Sequence, residues 1–183
     1  MADTQRSVSA ILALLTDNSN GQISEQDIRD AFVSWRNGHG QIYVAAGDAA
    51  AITISDTSSY FEATNPTWTL SSGAHFFDES GGDGRLTYTG IVPLVMHVAC
   101  TISMTSGSNN QVTHWRIGKT GTTDEASEVQ RKIGTGADVG STALHLVTTL
   151  STGDYLSLWV RNATGSNNVT LEVANIQAMT MPT

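Results

Sequence analysis

Five histidines, one cysteine and 17 acidic side chains are the residues of this chain whose types and spacing bear on chemistry. The stretch TDNSNGQISEQD, Thr16 to Asp27, sets acidic and amide residues around Gly21 in the manner of a calcium loop. With Gly21 in the glycine position of an EF-hand, Asn18, Asn20 and Asp27 take ligand positions, but the leading position falls on Thr16, where an Asp is wanted. Asp17 stands one residue out of register. The competing reading is a turn at Gly21 followed by a capped helix, with Ser24 as N-cap and Asp27 reaching back to it. His39, His75, His97, His114 and His145 form no HxH or HExxH pair. His97, His114 and His145 fall mid-strand on the less apolar face. Their convergence on a zinc ion or at a symmetry axis is one reading, and surface or interface hydrogen bonding is the other.

Cys100 has no partner for an internal disulfide. In an extended segment it points away from His97, three residues earlier. A buried, inert thiol is expected. Asp78, Glu79 and Asp83 offer paired carboxylates to a glycosidase or a calcium lectin. Glycines surround them, and an acidic loop is the simpler account. No G-x-S-x-G elbow occurs, and GKTGTTD lacks the spacing of a phosphate loop. Neither an enzymatic activity nor a cofactor is expected.

The 183 residues suffice for one medium domain with a short appendage. A net charge of −8 leaves no basic face to displace counterions from nucleic acid. No apolar run approaches the ~20 residues that cross a bilayer. Ala10 to Leu15 is too short for a secretory core, so no membrane or export segment is expected.

Two elements with helical spacing open the chain. Val8, Ile11, Leu12 and Leu15 form an apolar stripe over residues 5–15. Ile28, Ala31, Phe32 and Trp35 form a second after the Ser24 cap, with Gly38 and Gly40 ending it. From there the period changes to two. Short candidates (QIYVAA, AAITIS, SYFEA, TWTLS, AHFFD) precede longer ones at 93–106, 111–119, 127–134, 141–150, 154–162 and 168–181. Gly, Ser, Asn and Asp fill the links. Residues 1–38 read as a helical arm and 39–183 as a mainly β knob, a closed barrel or a two-sheet jelly roll. In DYLSLWVRN, Leu156, Leu158 and Val160 share one face; Tyr155, Trp159 and Arg161 share the other. Trp115 faces away from His114 and Arg116 in the same manner. Trp115, Tyr155, Trp159 and Arg161 are therefore candidates for a subunit contact, against the reading of ordinary outer-face aromatics.

Residues 85–181, from GRLTYTG through VMHVACTISMTSGSNNQVTHWRIGKTGT to GDYLSLWVRNATGSNNVTLEVANIQAMTM, resemble the tumour-necrosis-factor and complement-type globular heads. That resemblance implies an antiparallel jelly-roll sandwich assembling as a homotrimer about a three-fold axis. LLTDNSNGQISEQDIRDAFVSW, with its LL-x-DN-x-x-G-x-IS-x-QD-x-RD spacing, is similar to the opening segment of tailed-bacteriophage virion structural proteins, fibres and capsid-decoration proteins among them. Jointly they imply a non-enzymatic decoration or cement protein on the outer capsid surface of the virion, where it stabilises the head. Its partners would be itself and the major capsid protein, with no nucleic acid, membrane or cofactor. Val8, Ile11, Leu12, Leu15, Ile28, Phe32 and Trp35 would attach the arm to the capsid. The absence of a long shaft favours a compact knob. The alternative is a short tail or head fibre, or a receptor-binding spike head with a host surface receptor as partner.

Overall fold

The computed structural model describes residues 10, 13, 23–34, 38–79, 81–135 and 138–181. Ala10 and Ala13 are helical. Val8, Ile11, Leu12, Leu15 and Trp35, and the calcium-like loop before Ile23, lie outside the described residues. Helix α1 spans Glu25–Ser34. Its start is the expected capping box: Asp27 N–H donates to Ser24 Oγ (3.2 Å), and Ser24 N–H donates back to Asp27 Oδ2 (2.9 Å). The Ser24 hydroxyl also donates to Asp27 Oδ2 at 2.7 Å.

Thirteen strands follow among the described residues. The first six are β1 (His39–Val44), β2 (Ala50–Ile52), β3 (Phe61–Glu62), β4 (Thr69–Leu70), β5 (Phe77–Asp78) and β6 (Leu86–Tyr88). The rest are β7 (Leu94–Ser106), β8 (Gln111–Lys119), β9 (Thr122–Thr123), β10 (Val129–Ile133), β11 (Gly140–Leu150), β12 (Tyr155–Asn162) and β13 (Val169–Thr180). They form two antiparallel sheets. The first has the order β11-β7-β13-β1-β4 with β2 beside β13; the second has β10-β8-β12-β6-β5, with β3 beside β12 and β9 beside β8. From β10 to β13 each successive strand changes sheet, which is how a jelly roll closes around one core.

Period-two alternation builds that core. Met96, Val98, Cys100, Ile102 and Met104 of β7 point inward, opposite Trp115 and Ile117 of β8 and Leu156, Leu158 and Val160 of β12. Cys100 is buried as expected, and burial pushes its thiol up to about 12. Strand β13 obeys no single alternation. Val169 and Leu171 point inward, then Ala174, Ile176 and Ala178 do, because the register shifts between Leu171 and Val173. This β-bulge inserts one residue, so two apolar sets of opposite parity meet the same core.

Gly40 differs from its expected role as a helix terminator. It sits inside β1, and a side chain there would come within 2.5 Å of the Phe77 Cβ. Glycine is needed for the close approach of the two sheets at that point.

Candidate functional site

The sandwich presents two outward faces with opposite chemistry. On the second sheet, charged and aromatic groups neutralise one another. Glu128 is the hub. It accepts from Tyr60 Oη (2.7 Å) and Arg116 Nε (2.7 Å), and His114 Nδ1 lies 2.9 Å from its other oxygen. The Tyr60 hydroxyl, then His114 and Arg116, hold the Glu128 carboxyl down at about 2. Partial burial, followed by the bond to Glu128, pushes Tyr60 up to about 12. The guanidiniums of Arg116 and Arg161 lie 4.4 and 5.2 Å from the Tyr60 ring centroid. Farther along the face, Arg85 makes a two-pronged pair with Glu62 (3.1 and 2.8 Å) and covers the Tyr155 ring at 4.7 Å.

This arrangement corrects part of the expected subunit contact. Trp115 is 0% exposed and lies in the core, where its indole N–H donates to Thr113 Oγ1 at 2.9 Å. Its cross-strand partner is Val160, an inward residue, which fixes Trp115 on the inward face. Tyr155, Trp159 and Arg161 do lie outward, yet each has an intrachain partner. Trp159 donates to Ser157 Oγ at 2.9 Å and lies so close over Gly118 that a Cβ there would strike the indole.

The other sheet is different. Cross-strand registers set out three rows on its outward face: His39–Met179–His97–Val147, Gln41–Gln177–Ala99–His145 and Tyr43–Asn175–Thr101–Ala143. None of these twelve side chains is Asp, Glu, Lys or Arg. Val147 is 56% exposed and Met179 43%, both large apolar groups left open to solvent. Toward the β11 edge of the face His145 Nδ1 lies 3.2 Å from His97 Nε2, with ring centroids 5.3 Å apart and planes inclined by 18°. Of the three strand histidines, two therefore meet. His114 belongs to the opposite sheet.

The candidate carboxylates serve their own loop. Asp78 Oδ1 accepts from the Glu79 N–H (2.8 Å), Glu79 Oε1 accepts from the Gly84 N–H (3.3 Å), and Asp83 pairs with Arg85 (3.1 Å). No group of three or more His, Cys, Asp or Glu residues able to hold a metal occurs within one chain among the described residues. On α1, Ile28 is 47% and Phe32 64% exposed, so this part of the apolar stripe is turned to solvent.

Sequence reasoning overlooked the uncharged face. Its signal was present: in β7, β11 and β13 the outward positions alternate with core residues and carry no charge, save Glu172 at the bulge. Which strands stand side by side is what turns that scattered pattern into a surface.

No family model matches the chain, and no curated protein sequence matches it. Solved structures do. The Eiger TNF of S. frugiperda aligns with a TM-score of 0.57 at 13% identity, covering 80% of this chain and 93% of that one. Murine APRIL at pH 5.0 aligns with a TM-score of 0.44 at 11% identity, covering 78% and 99%. At such identities the likeness to Eiger is one of fold: a TNF-like jelly roll.

Proposed function

We propose that this chain is a non-enzymatic structural head that associates with copies of itself through the outward face of β11-β7-β13-β1. The homotrimer implied by the resemblance to TNF-type heads is the assembly proposed. The observation that carries it is the complete lack of formal charge over three rows of a four-stranded face. Each copy bears a net charge of −8, so copies repel one another wherever acidic groups approach. Burying a charge without a partner costs several kcal/mol. An uncharged face with open Val147 and Met179 meets neither penalty and offers apolar area worth about 25 cal/mol per Å². The opposite face, full of internally paired charges, would have to be desolvated at a cost.

The proposed setting is the outer surface of a tailed-phage capsid, with the N-terminal arm holding the head to the major capsid protein. Support comes from the LL-x-DN-x-x-G-x-IS-x-QD-x-RD segment and from the exposed Ile28 and Phe32. Three arms on one rigid head gain attachment by effective concentration.

Light scattering on the purified chain tests the assembly. A mass three times 19.4 kDa is expected, reduced toward 19.4 kDa by Ala99→Glu, which places a carboxylate at the centre of the face. A monomeric parent, or an Ala99→Glu variant that assembles as the parent does, sinks it. For the setting, copy number separates the readings: decoration requires hundreds of copies per particle and a receptor-binding fibre only a few.

A further inference from the structure

We infer that His97 and His145 form a two-imidazole part of a zinc site, completed by ligands from other copies where the uncharged faces meet. The bridging role rests on the self-association reading; the two-imidazole clamp does not. The residues sit diagonally across neighbouring strands, His97 opposite Val147 and His145 opposite Ala99, so both rings leave the sheet on one face. Their facing nitrogens are 3.2 Å apart. Two zinc–imidazole bonds of about 2.1 Å spanning that separation enclose an angle of about 100°, between octahedral and tetrahedral values. A small rotation of each ring aims both lone pairs at one ion in place of the single hydrogen bond they now share. The donor type selects the metal. Neutral imidazoles suit zinc, nickel and copper, while calcium and magnesium want oxygen ligands.

The surroundings favour a cation. The rows flanking the pair contain Gln177, Met179, Thr101 and Val147 and no Lys or Arg to repel it. A single chain provides too few ligands, since no group of three potential ligands occurs among the described residues. The remaining positions must be filled from outside, and the face on which the pair stands is the one proposed to meet other copies.

The test uses the full chain stripped of metal with EDTA. Zinc chloride is titrated by calorimetry, with magnesium chloride as control, and mass is followed by sedimentation velocity. Cobalt(II) serves as a spectroscopic stand-in, its visible absorption reporting imidazole coordination. The expected result is less than one zinc per chain, tighter association with zinc than in EDTA, and loss of affinity by about tenfold or more in His97→Ala and in His145→Ala. Both substitutions lie on the surface, and circular dichroism checks that the sheets survive. Zinc silence up to millimolar concentration overturns the proposal, as does undiminished binding in the double variant. Binding of one ion per chain with no change in mass overturns the bridging. A parent that is trimeric in EDTA yet indifferent to zinc removes the metal site and leaves the self-association standing. A parent that associates only with zinc supports the site and removes metal-free assembly.

Discussion

Glu128 shows how one residue organises a face. Three different groups converge on its two oxygens, and the carboxyl is lowered from its ordinary 4.5 to about 2. A carboxyl depressed by folding contributes stability above its unfolded value and loses it as pH falls through its folded value. The contribution of Glu128 is thus complete above about pH 4.5 and fades toward pH 2. Glu128→Gln removes the charge while keeping the shape. We expect the variant to lose about 2 kcal/mol at neutral pH, read from urea midpoints, with the gap narrowing as the pH approaches 2. A gap that stays constant with pH would show that packing, rather than charge, is responsible. Arg116 and Arg161 are likewise not open contact groups: both guanidiniums lie against the Tyr60 ring, Arg116 also pairs with Glu128, and Arg161 Nη2 lies 3.0 Å from His114 Nδ1.

Among the elements, helix α1 and strand β13 behave in opposite ways. The helix has a cap read directly from Ser24 and Asp27, and its exposed Ile28 and Phe32 take no part in the sandwich core. Short isolated helices are marginal in water, so the arm depends on whatever it contacts. Removing residues 1–37 should leave the sandwich folded and abolish the proposed attachment to a capsid. Gly38 is retained because its carbonyl accepts from Thr180 N–H at 3.0 Å and Thr180 Oγ1 at 2.9 Å. Thermal melting followed by near-ultraviolet dichroism reads the first outcome, and a sedimentation assay with capsids reads the second. If the truncated chain fails to fold, the arm is part of the core. Strand β13, by contrast, is central: it pairs with β1, β2 and β7, and its bulge at Glu172 decides which side chains enter the core and which reach the uncharged face.

For the whole molecule, charge is distributed unevenly: paired ions on one broad face, none over three rows of the other. The proposed assembly should therefore have a characteristic salt response. Contacts built from ion pairs weaken with added salt, whereas here salt screens only the repulsion between acidic copies. Raising sodium chloride should leave association unchanged or strengthen it, as measured by sedimentation equilibrium. Dissociation at high salt would point to a charged interface, and hence to the second sheet.

Much of this architecture follows from the chain's own pattern. Alternation located β7, β8, β10, β11 and β12 to within about two residues, since a strand buried on one face must repeat every second residue. The Ser24–Asp27 cap and the buried Cys100 were legible for similar local reasons. The bulge in β13 was not, because neither parity of its apolar residues is self-consistent until the partner strand is known. Trp115 was misplaced for a related reason: periodicity tells that two faces exist but not which one meets the core. The pairing of His97 with His145, 48 residues apart, and the merging of four strands into one uncharged face were decided by tertiary structure alone. Local sequence fixes which residues share a side of a strand; only the lateral order of strands, set by how the two sheets close over a common core, brings those sides together.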